Sequence, residues 1–71
     1  MMIKVNGLAK VYLAEESKSV EVWCRILDWE YGQDSVTVRV LDETGMESIK
    51  KGEYILVPMV LVMETLSEWL Q

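Results

Sequence analysis

Apolar and polar positions alternate with a period of two through much of this chain, the pattern of strands with one face in a core. Val20, Val22, Cys24 and Ile26 alternate with Glu21, Trp23, Arg25 and Leu27, predicting a strand over 20–29 with the first set inward. Val36, Val38 and Val40 alternate with Thr37, Arg39 and Leu41, predicting a second strand that pairs with the first as a hairpin. The connection, Glu30-Tyr31-Gly32-Gln33-Asp34-Ser35, contains a glycine that can supply positive φ. Same-face residues must oppose one another across an antiparallel pair, so Ile26 is expected opposite Val38 or Val40. A slip of one residue would set Ile26 against Arg39. Upstream, Leu8 to Ala14 predicts another strand, with Ala9, Val11 and Leu13 as its core face and Leu8, Lys10, Tyr12 and Ala14 on the other. A short alternating piece, Ile3-Lys4-Val5, precedes it through an Asn6-Gly7 turn signal, and the polar run Glu15 to Ser19 reads as a loop.

The longest apolar run, Tyr54 to Glu64, is interrupted by Pro58. Its hydrophobicity calls for burial. Residue Val57 precedes proline and is expected to be extended, while Pro58 lacks the N–H that a central strand needs. The run therefore reads as a strand, a sharp corner at Pro58 and a second strand over 60–63. Met46 to Ile49 is a short strand candidate, between the Asp42-Glu43-Thr44-Gly45 loop and the Lys50-Lys51-Gly52-Glu53 turn. At the C-terminus, Thr65 and Glu68 have capping-box spacing and Leu66, Trp69 and Leu70 fall on one side of a helix, predicting a helical turn over 65–71.

The order of these elements resembles the SH3-like small barrels. In many of them a strand ending in a hydrophobic residue and proline passes through a single 3₁₀ turn into the closing strand, and Ile55-Leu56-Val57-Pro58-Met59-Val60-Leu61-Val62 is similar to that pattern. Lys50-Lys51-Gly52-Glu53 resembles the lysine-glycine-acidic turn such domains carry. The resemblance covers most of the chain and implies an all-β, SH3-like five-stranded small barrel with a short C-terminal helical turn, as one domain over 1–71. The chain departs from the peptide-binding members. Leu61 stands three residues after the proline where they have tyrosine, no Trp-Trp pair occurs, and the early aromatic cluster is reduced to Tyr12. Those departures argue against a polyproline groove.

Composition narrows the function classes. A chain of 71 residues with 51% hydrophobic content can build a modest core. Histidine is absent, which removes the commonest general base and metal ligand. The single cysteine, Cys24, excludes an intrachain disulfide and a cysteine metal site, and suits a reducing, cytoplasmic setting. The run around Pro58 is too short to span a bilayer as a helix, so no membrane association is expected. A net charge of −5 argues against a broad phosphate-binding surface and permits a meeting with a basic partner.

Candidate chemistry is sparse. Asp28 to Asp34 has alternating oxygen ligands, but Gln33 and Arg39 stand where a calcium loop needs glycine and glutamate, so an acidic hairpin loop is the better reading. The carboxylates of Asp28, Glu30, Asp42 and Glu43 have nothing to fix their separation as an acid/base pair. Cys24, between Val22 and Ile26 on the inward face, reads as a small buried hydrophobe. No catalytic residue, cofactor or metal is expected. The outward aromatics stand out. Trp23, Leu27 and Trp29 share the predicted outer face with Arg25 and Arg39, and Tyr31 lies close by in the loop. Trp, Tyr and Arg dominate binding hot spots, and an exposed apolar patch marks a partner. The expectation is a non-enzymatic protein-interaction module, an accessory subunit or regulator. Its partner would bind Trp23, Arg25, Leu27, Trp29, Tyr31 and Arg39, unless Leu66, Trp69 and Leu70 cover the face. An open strand edge would also suit a homodimer. Two alternatives remain: a nucleic-acid-associated barrel, and an acidic inhibitor of a nucleic-acid enzyme encoded by a phage or mobile element.

Overall fold

A computed structural model of the chain describes residues 3–66. Within them the protein is all-β, with five antiparallel strands in one sheet. The strands are β1 (Leu8–Glu15), β2 (Lys18–Asp28), β3 (Ser35–Val40), β4 (Tyr54–Pro58) and β5 (Val62–Leu66). A 3₁₀ turn, Met59–Leu61, joins β4 to β5. Among the described residues no helix is long and apolar enough to cross a membrane.

The sheet order is β4-β3-β2-β1-β5, so the last two strands in sequence lie at opposite edges. Laid flat, strands spaced about 4.8 Å apart would put those edges roughly 19 Å from one another. A three-residue 3₁₀ turn rises only about 6 Å. The sheet must therefore curl until its edges approach. No ladder joins β4 to β5 among the described residues, and the sheet is not closed.

The core is the concave face of β1, β2 and β3. Ala9, Val11 and Leu13 meet Val22, Cys24 and Ile26, and Val36, Val38 and Val40 complete the layer, all buried. The register sets Cys24 opposite Val40 and Ile26 opposite Val38, one of the two pairings that keep the inward sets together. The long apolar run behaves differently from its hydrophobicity. Val57 and Val62 are buried, but Tyr54, Leu56, Val60 and Met63 are exposed. β4 and β5 are edge strands with one inward face, so their outward residues have nothing to pack beneath.

Several local expectations change. The loop after β1 contracts to a turn at Glu16-Ser17, because Glu15 and Lys18 still pair. Residues 46–49 form no strand. The segment is held as an irregular loop by Thr44, whose Oγ1 donates to the Ile49 carbonyl and accepts from the Met46 N–H at 3.0 Å. That clasp turns Met46 into the core. Thr65 and Leu66 belong to β5, paired with Ala9 and Leu8, rather than to a helical turn. The remainder of the predicted turn, including Glu68, Trp69 and Leu70, lies outside the described residues. The second strand after the proline begins at Val62, since Val60 and Leu61 belong to the 3₁₀ turn. The Met59 N–H, donating to the Asp34 carbonyl at 2.7 Å, ties this corner to the β2–β3 loop.

The N-terminal joint shows why Asn6-Gly7 is there. Asn6 takes a left-handed conformation, φ 72°, and Gly7 donates to the Lys4 carbonyl at 2.9 Å. Gly7 is buried, and a Cβ on it would sit 3.0 Å from the Lys4 carbonyl oxygen and 3.3 Å from that of Leu66. Any side chain there would push the N-terminal turn away from the end of β5.

Candidate functional site

Strand alternation sends Lys10, Trp23, Arg25, Arg39, Tyr54 and Leu56 to the face opposite the core. Cross-strand pairing aligns them. Leu8 is opposite Leu66 on one side and Arg25 on the other; Arg25 is opposite Arg39; Arg39 is opposite Tyr54. The result is one continuous row across all five strands: Leu66, Leu8, Arg25, Arg39, Tyr54. A second row runs from Glu64 through Lys10 to Trp23. Beside the arginines, Leu56 lies opposite Thr37 and is 67% exposed, as is Tyr54.

Each cation has a local partner. Lys10 Nζ stands 5.2 Å from the Trp23 ring centroid and 3.7 Å from Glu64 Oε1. The Arg39 guanidinium lies 5.8 Å from the Tyr54 ring centroid. Arg25 Nη1 donates to the Asn6 carbonyl at 3.0 Å. Trp23 is fixed from its backbone: its N–H donates to Asp42 Oδ2 at 2.9 Å, and its carbonyl accepts from Leu41 N–H at 2.9 Å. Asp42, read in the sequence as loop charge, thus caps a strand position beyond the end of β3.

The structure brings Trp23, Arg25 and Arg39 together on this face and separates Trp29 and Tyr31 from it. The cause is a register shift between Ile26 and Asp28, where Leu27 is the extra residue. Leu27 is half-buried at the bulge. Unbroken alternation would carry Asp28 into the core, and an unpaired buried carboxylate is costly. The bulge points Asp28 outward opposite Thr37 and brings Trp29 against the core cluster. Trp29 Nε1 then donates to the Gln33 carbonyl at 3.1 Å. Tyr31 is 96% exposed and meets Trp29 edge-on, ring centroids 6.3 Å apart. Gln33 organises this loop further: its Oε1 accepts from the Glu30 N–H at 2.8 Å.

Leu8, Lys10, Tyr54, Leu56 and Leu66 belong to the face although sequence reasoning did not select them. Leu8 and Lys10 were legible as the polar-side alternates of Ala9 and Val11. Tyr54 and Leu56 were masked, because their inward alternates Ile55 and Val57 are equally apolar and the period of two disappears.

No reactive group emerges on this surface. Among the described residues no cluster of three His, Cys, Asp or Glu side chains could hold a metal ion. Cys24 is fully buried, and burial, reinforced by the negative charge of Asp42, pushes its thiol up to about 11. It is therefore a protonated core residue at neutral pH. Comparison of the chain with protein-family models, curated proteins and solved structures finds no match.

Proposed function

We propose that this chain is an SH3-like small barrel acting as a non-enzymatic protein-interaction module, an accessory subunit or regulator. Its docking surface is the outer face of the sheet. The barrel reading is supported by the strand order and by the three-residue corner that ties opposite sheet edges. The functional reading rests on one observation: the row Leu66, Leu8, Arg25, Arg39, Tyr54, which sets two arginines between apolar and aromatic side chains on an ordered surface. That composition suits an interface, where Arg and Tyr anchors carry most of the binding energy. A single, buried cysteine supports a cytoplasmic setting.

The test is affinity capture from the cells that encode the chain, with three baits: the native protein, an Arg39→Glu/Tyr54→Ala double variant and a Tyr31→Ala variant. The face reading expects a partner retained by the native and Tyr31 variants and lost by the double variant. Loss with Tyr31→Ala alone moves the docking site to the β2–β3 loop and overturns it.

A further inference from the structure

We infer that the partner is a protein segment carrying a single Asp or Glu among apolar side chains, and that this carboxylate seats between Arg25 and Arg39. The inference rests on the interaction-face reading and adds the chemistry of the partner. Arg25 and Arg39 are direct cross-strand neighbours, so their side chains leave the same side of the sheet with Cβ atoms roughly 5 Å apart. Like charges in that position repel. The chain has 12 acidic residues, yet among the described residues Arg39 has the Tyr54 ring rather than a carboxylate as its partner. Lys10, one row away, does have a carboxylate, Glu64. A bound carboxylate would turn the repulsion into two charge-assisted contacts, because its two oxygens can accept from both guanidinium forks.

The surroundings select an isolated acid over a polyanion. Leu8, Leu66, Tyr54 and Leu56 border the arginine pair, so an occupant must offer apolar surface as well as charge, and that surface would desolvate the contact and strengthen it. The net charge of the chain is −5, with Glu30, Asp34, Glu43 and Glu53 in its connecting segments, a field that repels a run of phosphates. One carboxylate in an apolar sequence meets the local arginine pair at little cost from that field.

Selection of displayed random dodecapeptides on the full chain tests this, using the native protein, Arg39→Lys and Arg39→Glu, each checked for an unchanged fold by its amide NMR spectrum. The expected result is enrichment of peptides with one Asp or Glu flanked by apolar residues. Changing that acid to its amide should weaken binding about tenfold, since truncating one partner of a desolvated charge pair is costly. Arg39→Glu should select lysine- or arginine-containing peptides instead, and the Nε–H signals of Arg25 and Arg39 should move on titration. Apolar peptides without an acid that still need the outer face would overturn the carboxylate inference and leave the interaction face standing. Peptides indifferent to Arg39 and Tyr54 variants, or no enrichment at all, would overturn both. Oligouridine RNA that shifts the same arginine signals and displaces the peptides would assign the face to nucleic acid and overturn both.

Discussion

The meander β1–β2–β3 and the closing segment Tyr54–Leu66 are built on opposite plans. The meander mixes charged and apolar residues, yet supplies nine fully buried core residues, from Ala9 and Val11 to Val38 and Val40. The closing segment holds the longest apolar run in the chain, yet Val57 and Val62 are its only buried members, while Val60 is 79% exposed. A strand between two neighbours has its backbone satisfied on both sides and its inward face shut off from water. An edge strand that wraps a curled sheet keeps one face turned out, whatever residues it carries. Hydropathy belongs to the residue; burial belongs to the position in the sheet. An apolar run that topology leaves outside is then available for a partner, and here it borders the arginine row.

The largest expected effect tests the contrast directly. Ile26→Ala, in the middle of the core, should destabilise the protein by about 2–5 kcal/mol, and Leu56→Ala, on exposed β4, by less than about 0.5 kcal/mol, read from urea unfolding midpoints. Comparable losses would erase the distinction between the two regions.

Next comes a pH effect confined to the meander. The Cys24 thiol is raised from 9.0 to about 11 in the folded chain, chiefly by burial. Both states hold the neutral thiol below pH 9, so its contribution is constant there. Between pH 9 and 11 the unfolded chain ionises first, and stability should fall by roughly 2–3 kcal/mol. The difference between native and Cys24→Ala unfolding curves across that window isolates the effect; parallel curves would show that the thiol is accessible.

Gly7 probes the seam between the regions. Gly7→Ala should cost about 1–3 kcal/mol, because the new methyl group meets two backbone oxygens, Lys4 on one side and Leu66 of β5 on the other. Hydrogen exchange should show the loss concentrated at β1 and β5. A neutral result would mean that β5 does not close tightly on the N-terminal turn.

The smallest effect has the opposite sign. Arg39→Gln relieves the repulsion opposite Arg25 and should stabilise the fold by about 0.2–1 kcal/mol, while weakening partner binding. Destabilisation would show that the Tyr54 contact outweighs the repulsion.

Much of the meander was legible beforehand. Valines at every second position identify β3 and its inward set, and the same alternation selects Val38 opposite Ile26 over a register that would bury Arg39. The helical reading of Thr65 and Leu66 failed because a two-residue overlap with a capping pattern is weaker than pairing against Ala9 and Leu8. The strand expected over 46–49 failed because Thr44 offers the backbone a side-chain partner instead. Of the candidate site, Trp23, Arg25 and Arg39 were found from alternation alone, while Trp29 was misplaced by the bulge at Leu27, which has no local sequence signal.

By itself the sequence determined the β class, the inward faces of β1, β2 and β3, the position of the corner at Pro58 and the absence of histidine chemistry. These follow from period-two patterning and residue chemistry, which act locally. Tertiary structure alone decided that Arg25 faces Arg39, that Leu8 and Leu66 extend their row, and that Tyr54 and Leu56 remain in water. The reason is physical: each depends on which strands become neighbours and on where the sheet runs out of neighbours, and neither is written into any one stretch of the chain.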